Sequence, residues 1–275
     1  MSLIDVISPR ERSVGDSTVR RVLPVARRRM VGPVVFLDIM GPEVLGPGHA
    51  VDIPEHPHIG LSTLTYLLDG RLQHRDSTGA QQVIDPGDVN WMTAGSGVTH
   101  IERSHPDDLD NDVLLRGVQI WVALPEDGQD VEPFFAHVGK AELPVLQMQS
   151  ATIRLIAGTA WGETSPVPAS SPMVLADVSL DGSGVLRLGD EHHDRAILPL
   201  EGEIVAADQS LSPGHLGVFA PGEEALISGW GRALLLGGEP LGERHISWNF
   251  VHSDKSRIEE AQARWDAGGF PRTLP

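Results

Sequence analysis

Along most of the chain, apolar residues fall in short runs cut by Gly, Pro, Asp and Ser, a pattern that predicts strands and turns rather than helices. PVVFLDIMGPEVLGPG reads as a strand ending in Gly-Pro turns. LSTLTYLLDG and RLQHRDSTG read as two strands joined in a hairpin at Asp69-Gly70. QQVIDPGDVNWMTAGSG reads as a second pair, turning at Pro86-Gly87, and VLLRGVQIWVALP as an alternating strand that stops at Pro125. After Phe135 a second series of this kind begins. In it, LPLEGEIVAADQSLSPGHLGVFAPG echoes TYLLDGRLQHRDSTGAQQVIDPGDVNWMTAG, a weak internal repeat. The expected fold is therefore all-β, with a barrel or sandwich in each of two halves, 1–135 and 136–275. Only SDKSRIEEAQARWDAGG reads as a helix. Ser253 or Asp254 can cap it, Ile258, Ala261 and Trp265 form one apolar face, and Gly268 and Gly269 end it. That face is expected to pack on a barrel.

Composition narrows the chemistry. The 275 residues carry a formal net charge of −17, which disfavours nucleic-acid backbones and anionic membranes. Arg20, Arg21, Arg27, Arg28 and Arg29 form the one basic stretch, read as a solvated edge strand with an anion or partner patch as the alternative. There is no cysteine, so disulfides, thiolate metal sites and thiol nucleophiles are excluded, and any metal must use His, Asp or Glu. No apolar run is long enough to span a membrane, and the first twenty residues lack a signal-peptide core. A cytoplasmic protein is expected.

The metal-type chemistry gathers at two places. In EHPHIGLSTLTYLLDG, His56 and His58 are separated by one residue and so share a strand face. If the strand ran on without a bulge, Ser62, Leu64, Tyr66 and Leu68 would line the same interior. In TAGSGVTHIERS, His100 and Glu102 have the same spacing. Three imidazoles and one carboxylate suit Fe(II), and also Mn, Ni, Cu or Zn, and leave open positions on the metal. His74 and Asp76 share a face as well, read as a structural strand contact with a supporting pair behind the ligands as the alternative. His192, His193 and Asp194 lack a partner motif for a second metal site. His105, His137, His245 and His252 read as surface or turn residues.

These motifs resemble the pirin family of the cupin superfamily. The resemblance rests on VGPVVFLDIMGP, HPHIGLSTLTYLLDG, HRDSTG, IDPGDVNWMTAGSGVTHIE, LRGVQIWVALP and GGEPLGERHISWNFVHSDKSRIEEAQARW. It implies two cupin-type β-barrels (a bicupin) with a short C-terminal helix, a metal in the N-terminal barrel only, and His56, His58, His100 and Glu102 as its ligands, iron being the usual metal. It departs from the family at Ile59, Leu61 and Ser62, where Arg, Phe and Glu are usual, and at Ile101. These changes bear on the substrate more than on the metal.

Two functions follow from the resemblance. One is a metal-dependent dioxygenase of the quercetin 2,3-dioxygenase type, cleaving a flavonol-like substrate, with Glu102 as ligand and catalytic base. The other is an iron-binding regulatory or redox-sensing module that meets a protein partner without robust catalysis. A metal-free scaffold is the third reading. A monomer is expected, since twin barrels in one chain mimic a cupin dimer.

Overall fold

The alternating runs become antiparallel sheet throughout. The structure, a computed structural model, describes residues 2–15 and 17–273. They fall into two compact units, each assembled from separate stretches of chain. One comprises Glu11–Val19, Val35–Lys140 and Leu241–Pro275; the other comprises Met1–Arg10, Arg20–Val34 and Ala141–Pro240. A cut at 135/136 assigns the chain ends by sequence position. Packing instead places the C-terminal stretch, helix included, with the unit that holds His56.

In that unit, two sheets lie over one another in the connectivity of a sandwich. The first has four strands in the order Asp52–His58, Val98–Ser104, Leu72–Asp76 and Gln81–Ile84. The second includes, in order, Phe134–Val138, Val89–Thr93, Leu61–Asp69, Val113–Ala123 and Val34–Leu45. Its buried side chains include Leu61, Leu64, Leu67, Trp91 and Ile120, each fully removed from solvent.

The turn at Asp69-Gly70 does not close a hairpin. Leu61–Asp69 pairs with Val89–Thr93 and Val113–Ala123, whereas Leu72–Asp76 pairs with Val98–Ser104 and Gln81–Ile84. Gly70, at φ +75°, turns the chain from one sheet into the other. Pro86-Gly87 does the same in the reverse direction. A local turn signal does not say whether the strands it joins will pair. The hairpin is one step further on, where Leu72–Asp76 folds back on Gln81–Ile84.

The helix spans Lys255–Asp266, and Asp254 caps it by accepting from the Ser256 N–H at 2.8 Å. Ile258 and Ala261 pack in one cluster with Ile59, Phe250 and Phe270, and Trp265 covers it. The apolar face thus meets the strand end just past His58.

The other unit is built on a sheet in the order Leu3–Ile7, Leu216–Phe219, Asp194–Ala206, Ala225–Gly238, Met173–Leu188, Ala151–Ala160 and Val145–Gln147. Its core includes Ile153, Leu155, Val178, Ile197, Ile204 and Ile227, all fully buried.

Candidate metal centre

The four-stranded sheet sets the register of the site. Val98–Ser104 runs antiparallel to Asp52–His58 with His100 opposite His56, and a bulge follows between His100 and Glu102. On its other edge the same strand pairs without a break with Leu72–Asp76, placing His100 opposite Asp76 and Glu102 opposite His74. Directly opposed residues share a face, so six polar side chains are gathered on one side of the sheet.

They form two overlapping triads. His56, His58 and His100 have donor nitrogens all within 4.8 Å of one another, and so do the donor atoms of His74, His100 and Glu102. By that distance Glu102 groups with His74, and His100 belongs to both triads. His58 and His100 are 1% exposed, and His74 and Glu102 are also buried.

The hydrogen bonds fix which nitrogen carries each proton. His56 Nδ1 lies 2.9 Å from the Pro54 carbonyl and His58 Nδ1 lies 3.0 Å from the Asn249 carbonyl. A carbonyl only accepts, so both rings hold their proton at Nδ1 and carry a lone pair at Nε2. His58 Nε2 then faces His100 Nε2 at 3.1 Å. Burial pushes the pKa values of His56, His58 and His100 down, those of His58 and His100 well below the ordinary value, and the crowding of the rings adds to the effect for His58 and His100. Burial thus disfavours an imidazolium here, and three neutral imidazoles with donor nitrogens this close suit a cation. Two imidazole nitrogens each about 2.1 Å from a metal and about 90° apart would lie about 3 Å from each other. The donor set fits a divalent transition metal.

Around the donors, Thr65 Oγ1 lies 3.2 Å from Glu102 Oε1 and 3.0 Å from the side-chain oxygen position of Gln119. One hydroxyl proton cannot serve two acceptors. With the Gln119 amide turned, its N–H donates to Thr65 and Thr65 donates to Glu102. The expectation that Leu64 and Tyr66 continue the histidine face is thereby corrected. The strand breaks at Gly60, φ +67°, and the side chain that reaches the carboxylate is Thr65, of the opposite parity. Trp121 meets His58 edge-on at 5.1 Å and stacks on Phe36, and Phe135 stacks on His74 at 4.6 Å.

His252, expected at the surface or in a turn, is 7% exposed and accepts the Asp254 N–H at its Nδ1. His192 is turned to the Thr159 carbonyl and His193 to Asp194. Among the described residues, no metal-type group falls in 141–240. The HxD spacing of His74 and Asp76 is visible in the sequence. The Asn249 carbonyl, 191 residues from His58, has no sequence signal at all.

Residues 16–122 match the Pirin family and residues 175–271 the Pirin C-terminal cupin domain. A pirin-like protein of Caulobacter vibrioides is 44% identical, over 97% of this chain and 94% of its own. A protein of Pseudomonas aeruginosa that carries the provisional name quercetin 2,3-dioxygenase is 38% identical, over 97% and 84%. The crystal structure of quercetin 2,3-dioxygenase from Acinetobacter baumannii superposes with a TM-score of 0.90 at 30% identity, covering 98% of this chain and 91% of that one.

Proposed function

The chain belongs to the pirin family, and from that premise we propose that its histidine cluster holds a divalent iron and that the protein is a dioxygenase cleaving a flavonol-like substrate. The observation that carries the metal is the convergence of His56, His58 and His100 donor nitrogens, two of them with the Nδ1 proton set by a backbone carbonyl. Glu102 is proposed as the fourth ligand and as the base for the substrate hydroxyl. The substrate class comes from the names of the relatives; the aromatic surfaces of Trp121 and Phe135 beside the donors support a flat aromatic molecule.

Bound iron would supply Lewis acidity toward the substrate hydroxyl and redox access to dioxygen. The chain's own residues do the rest. Pro54 and Asn249 orient two imidazoles through their carbonyls. Thr65 donates to one oxygen of Glu102 and leaves the other free to take a proton. Ile59 and Ser62 stand where the family usually carries Arg and Glu, so this chain carries less charge next to its first histidine pair.

The test is metal analysis followed by turnover. Purified protein, loaded anaerobically with Fe(II) and then given quercetin in air, is expected to consume the flavonol and release CO. Glu102→Gln should abolish that release. Stoichiometric iron without substrate loss, across a panel of flavonols, would favour the regulatory module; no iron uptake would end both readings.

A further inference from the structure

His100 is the one imidazole of the first triad that does not hand its Nδ1 proton to a backbone carbonyl. Its Nδ1 lies instead 3.4 Å from Nδ1 of His74. His74 Nε2 lies 3.0 Å from Asp76 Oδ2. Asp76 is in turn held at its other oxygen by the Thr78 N–H, the Thr78 hydroxyl and the Ala80 N–H, at 2.8, 2.6 and 3.2 Å. Its side chain is fully buried and that of His74 is 5% exposed. Burial alone would raise the Asp76 pKa, but the bonds from His74 and Thr78 outweigh it and hold the pKa below its ordinary value.

We propose that His74 and Asp76 are positioning residues that place the proton of His100 on Nδ1 and so keep its Nε2 lone pair turned toward His58. The inference rests on the metal reading of the first triad. Asp76, ionised, only accepts, so His74 carries its proton at Nε2. His74 Nδ1 is then an acceptor, so His100 must donate from Nδ1. His100 Nε2 is left bare, beside the bare Nε2 of His58. A buried imidazole thus does for His100 what backbone carbonyls do for His56 and His58, and its own orientation is fixed by the hairpin turn at Asp76–Ala80. Support behind a ligand of this kind is worth roughly ten- to a hundredfold in metal affinity.

Asp76→Asn separates this from mere packing. The amide is isosteric but can present an N–H to His74 Nε2. That moves the His74 proton to Nδ1, forces His100 to the Nε2–H form, and blocks the donor. Co(II) titration followed by visible absorption should show about tenfold or more weaker binding in Asp76→Asn and in His74→Leu. His74→Asn, whose side-chain carbonyl can accept from His100 Nδ1, should recover most of it. Nitrogen-15 spectra of histidine in the metal-free protein should show His100 as Nδ1–H in the wild type and as Nε2–H in Asp76→Asn. A wild-type His100 in the Nε2–H form, or Asp76→Asn with unchanged tautomer and affinity within twofold, overturns the proposal. A wild type that takes up no Co(II) overturns the metal reading instead, and the metal-free spectra still decide the proton register.

Discussion

At the scale of single residues, the site is a place where ionisation is resisted. The pKa values of His58 and His100 are driven below the ordinary 6.5 chiefly by burial. The sign of the consequence is fixed. Below pH 6.5 the unfolded chain takes up protons that the folded chain refuses, so folding loses free energy as pH falls. Denaturant midpoints of the metal-free protein should therefore decrease steadily from pH 7 to pH 5, and the trend should flatten in a His58→Phe, His100→Phe double variant. Thr65 carries a second prediction at this scale. Its hydroxyl supports a buried carboxylate, and a hydrogen bond to a charged group is worth about 1.5–3 kcal/mol. Thr65→Val should lower metal-free stability by an amount in that range, read by chemical denaturation, and Thr65→Ser should restore most of it.

At the scale of elements, the corners decide what the strands can do. Gly60 separates the His56–His58 strand from Leu61–Asp69, and a Cβ there would stand 1.9 Å from the Val251 carbonyl oxygen, at a φ that disfavours side chains. Gly60→Ala should cost about 3 kcal/mol through clash and strain together, seen as a drop in thermal midpoint. The strands themselves and the helix, down to its Asp254 cap, were legible because alternation and capping are local. The pairing was not. Asp69-Gly70 and Pro86-Gly87 carry good turn chemistry, yet both lead across to a different sheet, since pairing is set by which apolar faces must be covered rather than by the turn. The register shift after His100 against the His56 strand was equally invisible, as was the regular pairing that sets Glu102 opposite His74. The i, i+2 spacing picks out residues that the fold gathers into the two triads, while saying nothing of Thr65, whose parity is reset at Gly60.

At the scale of the whole chain, the unit that holds the histidine cluster is finished by residues from its far end. The Asn249 carbonyl orients His58. Glu55, one residue before His56, accepts from Arg272 and from the Thr273 N–H, both at 2.6 Å, and Thr99 donates to the Pro271 carbonyl at 2.7 Å. Phe250 and the helix close over Ile59. Removing residues 241–275 should therefore weaken Co(II) binding by roughly ten- to a hundredfold even though every proposed ligand is retained; undiminished affinity in the truncated chain would show that the tail is not needed. Dependence of this length has no trace in composition or periodicity.

That arrangement also orders events in time. All four proposed ligands have left the ribosome once residue 102 has emerged, but the carbonyl that aims His58 emerges almost 150 residues later. At roughly 5–20 residues per second, the nascent chain spends roughly 7 to 30 seconds with its histidines present and not yet aimed. At the proposed site, any selection among metals would then belong to the chain whose residue 249 is already in place.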